Sequence, residues 1–292
     1  MWRSWAFGAL FVLLWSSGFV GAELAGSTPW QGVLAWRYVI TTGVLALMII
    51  PLRPTLTRIE VGKQIALGLL AHVVFLGGVF AAQGAGLAPG TVALVCALQP
   101  MLVTIVGALG WGDRIPGRTW WGLALGLVAV VLTVGNPRGL GLVVLLPVAS
   151  LVGLSAAAIL ERRWRPRTHV AVALATQSAV SAAVFVTWAW IGGTLAVEVS
   201  TQLVGALAWL VALSGIGGYG AFVLCLRHLG ASTTSTLLYL TPAVTTIWVW
   251  GMLGERPSLG ALAGLTVAAV AVALVTTARS GGSEESSRPV DG

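Results

Sequence analysis

The sequence predicts an all-α polytopic membrane protein of about ten transmembrane helices, arranged as two inverted five-helix repeats. Three observations carry this expectation. Hydrophobic residues make up 57% of the 292-residue chain and charged residues only 9%, against roughly 25% charged in soluble domains. Apolar runs long enough to cross a bilayer recur from Trp5 to Thr277, and about 20 such residues are needed for each crossing. Finally, the chain matches itself at a fixed offset.

The spans follow from cutting the chain at charges and at Gly/Pro punctuation. They fall near 5–23, 30–50, 64–83, 89–111, 119–135, 140–160, 169–191, 202–226, 231–253 and 259–278. Arg3 followed by Ala6–Trp15 has the outline of a signal peptide, but the apolar run lengthens to a full span and many spans follow, so it reads as a retained first helix. The tail, residues 279–292, is polar and predicts disorder.

Orientation follows from Lys and Arg. With the N-terminus inside, Arg3, Arg53, Arg58, Lys63, Arg114, Arg118, Arg162, Arg163, Arg165, Arg167, Arg227, Arg279 and Arg288 are cytoplasmic. Arg138 and Arg256 lie outside, and Arg37 sits within a span, so the count is 13 against 2. That bias predicts an inner (plasma) membrane protein with both termini cytoplasmic. The net charge of +7 therefore reads as topology; a nucleic-acid surface needs clustered bases on a solvated face. Most tryptophans, Trp120 and Trp250 among them, fall near helix ends where an indole N–H stays wet; Trp15 does not.

At an offset of 142 residues, 87–135 aligns with 229–277 without a gap, and 14 of 49 positions are identical. The matches include Pro100/Pro242, Thr104/Thr246, Gly112/Gly254, Arg114/Arg256 and Gly122/Gly264. Two halves with an odd number of spans enter the membrane in opposite senses, so Asp113 is predicted inside and Glu255 outside. Inverted repeats are the build of secondary transporters, with substrate near the midplane.

These residues resemble the EamA-like family of the drug/metabolite transporter superfamily. The resemblance rests on Tyr239-Leu240-Thr241-Pro242, Gly254-Glu255-Arg256-Pro257-Ser258 and Gly264 in one copy. Leu98-Gln99-Pro100, Gly112-Asp113-Arg114 and Gly122 carry it in the other, with Leu14-Trp15-Ser16-Ser17-Gly18-Phe19 and Trp36-Arg37-Tyr38 near the start. Asp113 departs from the usual Glu. The resemblance implies EamA-like repeats at 1–138 and 139–278, forming a ten-helix basket. It also implies export of amino acids, related metabolites or drugs.

Polar groups inside a membrane need a reason, since a central Arg costs about 2.5–3.5 kcal/mol on insertion scales. Arg37 is a candidate anchor for a substrate carboxylate, or an arginine snorkelling to the outer interface. His72 is the histidine deep in a span, able to bond substrate, to titrate, or to link two helices. Trp15, Tyr219, Tyr239 and Trp248 are aromatics away from clear interface positions and could line a cavity. Ser16, Ser17, Gln99, Ser155, Gln177 and Thr241 add neutral hydrogen-bonding capacity, or helix-to-helix glue. The substrate-binding set expected around one central cavity is Trp15, Arg37, His72, Gln99, Tyr219 and Tyr239. Pro100 and Pro242 are expected kinks or hinges, and Gly122/Gly126 and Gly260/Gly264 close-packing faces.

Cys96 and Cys225 lie in apolar helices without a CxxC or Cys/His cluster, so no disulfide, metal or cofactor is expected. The expected partners are a small-molecule substrate and the lipid bilayer, without nucleic acid, around a monomer. A channel, a non-transporting receptor and an intramembrane enzyme are the rival classes; for an enzyme, no HExxH, P-loop or intramembrane carboxylate pair occurs. With the acids at helix ends, loops or tail, transport is expected to run down the substrate gradient, or with weak proton linkage through His72.

Overall fold

The computed structural model describes residues 2–52, 56–111, 141–229 and 237–254, with scattered positions in 117–128, at 234 and in 256–270. Described residues form helices joined by short turns, with no strand among them. In order they are α1 (Trp2–Leu24), α2 (Trp30–Ile49), α3 (Arg58–Gly84), α4 (Pro89–Cys96), α5 (Gln99–Trp111), α6 (Leu145–Trp164), α7 (Val170–Ile191), α8 (Thr201–His228) and α9 (Thr241–Leu253). Seven stretches among the described residues are long and apolar enough to cross a membrane. Most of the span expected at 119–135, the Gly112–Arg114 turn, Glu255, Gly264, most of the last span and the tail lie outside the described residues.

The outer surface is that of a lipid-embedded bundle. On α2, Val39, Ile40, Val44 and Leu47 are exposed, while Arg37 and Thr41 on the same helix are buried. Apolar side chains outside and polar ones inside invert the pattern of soluble helices, as expected where hydrocarbon is the solvent and each polar group must find an internal partner. Trp120, Trp121, Trp188, Trp190 and Trp250 are exposed.

Two irregularities repeat at the 142-residue offset. Proline cannot donate to the preceding turn, and both proline-bearing segments break there. Residues 97–98 form a turn before α5, and residues 239–240 form one before α9. Each new helix opens on the same bond, Thr104 Oγ1 donating to the Pro100 carbonyl at 2.7 Å and Thr246 Oγ1 to the Pro242 carbonyl at 2.8 Å. The second irregularity is π-helical geometry, over Leu69–Val74 in α3 and Leu210–Tyr219 in α8. Such segments insert a residue into the helical turn and redirect side chains, often at functional sites. Here they turn His72 and Ser214, residues 142 apart, toward α2.

Candidate functional site

α2 packs most extensively against α7 and also meets the π segment of α8, which brings Arg37 into the centre of the bundle. Arg37 is 1% exposed. Its Nη2 donates to Ser214 Oγ at 3.2 Å, while Nε and Nη1 are buried without a hydrogen-bond partner. No carboxylate pairs with it among the described residues. A guanidinium carries five N–H donors, and leaving several unmade in a buried site is costly. The arrangement is therefore poised to receive an anionic oxygen. Arg37 does not snorkel; its closeness to Ser214 and to Gly215, where an added Cβ would stand 3.8 Å from Nη2, holds it inside.

Next to it runs a directed chain of neutral hydrogen bonds. Gln177 Nε2 donates to Gln64 Oε1 at 2.7 Å, so the Gln177 oxygen faces His72 Nε2 at 3.0 Å. His72 Nε2 must then carry the proton, and Nδ1 accepts from the Tyr38 hydroxyl at 2.8 Å. With both ring nitrogens engaged, His72 joins α2, α3 and α7. Tyr219 lies against the His72 ring at 4.2 Å between centroids, tilted by 37°, and donates to the Ala71 carbonyl. Together Arg37, Tyr38, Thr41, His72, Ser178 and Tyr219 surround a cavity of about 10 Å³, room for about one water.

Beside it lies an aromatic chamber of similar size, lined by Trp15, Gly18, Phe19, Phe75, Ser214 and Tyr219. The Trp15 ring stacks on Phe75 at 5.7 Å and stands 4.8 Å from both Tyr219 and Phe222. Ser214 and Tyr219 belong to the lining of one chamber and to the surroundings of the other. Gly18 is what allows this approach: a Cβ there would collide with Ser214 Oγ.

Of the six residues expected around one cavity, Trp15, Arg37, His72 and Tyr219 converge in this pair of chambers. Gln99 and Tyr239 line neither. Gln99 is fully buried with both amide atoms unpartnered, near the α5 break; Tyr239 is half-buried in the turn before α9. Pro100 and Pro242 are buried at the two breaks. Trp248 is half-buried, its indole donating to the Leu13 carbonyl at 3.4 Å. Ser16 Oγ reaches the Thr241 carbonyl at 3.4 Å, whereas Ser17 and Ser155 bond within their own helices. Cys96 and Cys225 are free and buried.

Several participants escaped the sequence reading, Thr41, Ser178 and Phe75 of the chamber walls among them. Tyr38 and Ser214 bond the central cluster, and Gln64 ends the chain from His72. Gln83 is buried elsewhere with both amide atoms unpartnered. A usable signal existed for two of them, since Gln64 and Gln83 are amides inside apolar spans. A third was accessible through the repeat, where Ser214 is the counterpart of His72.

A bundle with a lipid-facing apolar shell and a buried polar interior, lacking metal-ligand clusters among the described residues, defines a multi-pass membrane protein with a polar cluster at its centre. The model of the EamA-like transporter family matches residues 140–277. Over that stretch, a little under half of the chain, the sequence is similar to this family of membrane transporters, which lies within the drug/metabolite transporter superfamily. No curated protein matches significantly. A solved crystal structure superposes with a TM-score of 0.72. It shares 18% sequence identity and covers 94% of this chain and 98% of its own; the likeness is one of fold.

Proposed function

We propose that this protein is an exporter of small carboxylate-bearing metabolites, amino acids or related compounds foremost and drugs of similar shape besides, working by alternating access across the inner membrane. The observation that carries the reading is Arg37, a fully buried guanidinium with two unpartnered nitrogens and no carboxylate beside it among the described residues. A substrate carboxylate supplies both the missing charge and the missing acceptors. The Trp15–Phe75–Tyr219 chamber receives the apolar part of the substrate. In the conformation described the two chambers are nearly closed, so loading requires the bundle to open.

The repeats at 1–138 and 139–278 form two inverted five-helix halves in this reading, with both termini cytoplasmic. The matching proline breaks and the matching π segments support it. Gln99 and Tyr239 join the substrate site when the helices around Pro100 and Pro242 move, and the monomer is the working unit. His72 is bonded on both ring nitrogens by neutral groups, and the described acids stand at helix ends or in loops, which favours transport down the substrate gradient. His72 is the interior group left for proton linkage.

The decisive experiment is counterflow in proteoliposomes with a panel of radiolabelled amino acids and other carboxylates. Saturable exchange of carboxylate-bearing solutes is the expected result. An unsaturable conductance means a channel, and absence of any carboxylate flux ends the reading. Single cysteines at positions 113 and 255 should label from opposite sides of the membrane; labelling from one side rules out the inverted arrangement.

A further inference from the structure

A cavity much larger than the two central chambers lies where α1 ends and α2 begins, against the last turn of α3, and encloses about 270 Å³. That volume falls just below the range of pockets for drug-sized ligands, so it suits a small one. Its walls are firm. Val33 and Phe80 line it and are each 1% exposed. Trp30 packs over Gly84, where an added Cβ would stand 3.0 Å from the indole Cδ1, and meets Trp188 edge-on at 5.0 Å. The connecting turn passes through Gly26, whose φ of +62° falls in the left-handed region.

Gln83 is the informative residue of the lining. It is 8% exposed, and both Oε1 and Nε2 are buried without a hydrogen-bond partner. Native structures rarely leave both ends of a buried amide unmade. Glu23 borders the cavity as well, but it is already engaged in an interaction of its own. The buried, unmet requirement in these walls is therefore that of Gln83. Its two atoms lie side by side on one planar group, an acceptor next to a donor. An ammonium can satisfy only the oxygen and a carboxylate only the nitrogen, and either leaves the other atom unmade. A carboxamide satisfies both at once through two parallel N–H···O bonds. It also brings no charge to walls that are largely apolar and aromatic, where an unpaired charge is costly.

We propose that this cleft is a second ligand site, specific for a small, flat, neutral molecule that presents a carboxamide edge. The ligand N–H donates to Gln83 Oε1, the ligand carbonyl accepts from Gln83 Nε2, and the planar body lies against Trp30 and Phe80. The site is separate from the centre of the bundle, since Trp30, Val33, Phe80 and Gln83 line neither central chamber. Its ligand shares neither charge nor anchor with a carboxylate held at Arg37, so binding here does not depend on the transporter reading.

The test uses the full chain in lipid nanodiscs, titrated with radiolabelled benzamide and with empty nanodiscs subtracted. N,N-Dimethylbenzamide keeps the acceptor without the N–H, while benzylammonium and benzoate carry the two charges. Saturable binding of benzamide is expected, with each of these three competitors weaker by about tenfold, because each leaves one buried amide atom of Gln83 unsatisfied. Gln83→Met, close in shape, should weaken benzamide binding by about tenfold while keeping or raising the midpoint of thermal unfolding, since it removes both unpartnered atoms. Arg37→Gln should bind benzamide as wild type does. Absence of saturable benzamide binding to wild type overturns the proposal, the cleft then holding water only. Equal competition by N,N-dimethylbenzamide or by either charged analogue overturns it too, and needs no variant to fold. So does wild-type affinity in Gln83→Met, or loss of benzamide binding in Arg37→Gln. Absence of carboxylate counterflow counts against the Arg37 reading alone.

Discussion

At the end of the bundle reached by Glu23 and Gln83, the helices splay around a cleft of about 270 Å³. At the opposite end, where α3 begins and α6 and α8 finish, they are tied together. Glu60 Oε1 pairs with Lys63 Nζ at 2.9 Å, and Thr168 Oγ1 donates to Glu60 Oε2 at 3.0 Å. Arg227 Nη1 donates to the Thr168 carbonyl at 2.7 Å, and its Nη2 stands 3.7 Å from Glu161 Oε1. One network thus joins α3, the α6–α7 connection and α8. On the cleft side, by contrast, Val33 and Phe80 of the cleft and Phe19 and Val79 of the aromatic chamber are apolar side chains each 3% exposed or less. The difference teaches that the two ends are held together by different physics. Apolar contacts can part and re-form without leaving a charge unpaired, whereas opening the tied end means breaking directional bonds that hold one geometry.

The strongest way to break the comparison is at the point both ends serve. Arg37→Gln should lower affinity for carboxylate substrates by about ten- to a hundredfold, since bonds to a charged group are worth about 1.5–3 kcal/mol. Equilibrium binding in nanodiscs measures it, and an unchanged affinity means that neither end leads to Arg37. Next, Trp15→Ala should reduce counterflow about tenfold while Trp120→Ala stays within about twofold, because Trp15 is packed among aromatic rings and Trp120 is 54% exposed. Equal effects would remove the aromatic chamber from the path.

Smaller effects sharpen the contrast between the ends. Arg227→Ala, in a Cys96→Ser background, should raise maleimide labelling of buried Cys225 by about two- to fivefold, the range expected for partly exposed ion pairs. Unchanged labelling would mean the network does not hold that end shut. The smallest effect concerns two helix caps. Thr57 Oγ1 accepts from the Glu60 N–H at the tied end, and Ser200 Oγ accepts from the Leu203 N–H at the other. Replacing either by Ala should cost about 1 kcal/mol, read as a lowered midpoint of thermal unfolding. Only Thr57→Ala should also raise Cys225 labelling, because it loosens the first turn carrying Glu60.

Apolar length and punctuation were legible in the chain. The described helices start and stop close to the expected bounds, as with α2 at Trp30–Ile49 and α7 at Val170–Ile191. Pro100 and Pro242 foretold the two breaks because a missing N–H is a local fact. Arg37, His72, Trp15 and Tyr219 stood out as polar or aromatic groups in spans where such groups are costly. What could not be read was which of them meet. The helices are apolar on nearly every face, so no stripe in the sequence marks the inward side, and periodicity, the usual guide, is silent.

The sequence by itself therefore determined that this chain lives in a membrane, where its helices lie and that its halves echo one another. Hydrophobic length, proline and repeat spacing act along the chain and need no partner. The tertiary structure decided that Arg37 meets Ser214 rather than an acid, and that Tyr38, His72, Gln177 and Gln64 form one directed chain. It also decided that Gln83 is left unpartnered beside an open cleft. These facts depend on residues as far as 177 positions apart and on π segments that rotate His72 and Ser214 inward. A polar side chain in an apolar helix announces a requirement for a partner; only packing names the partner, or leaves the place for a ligand.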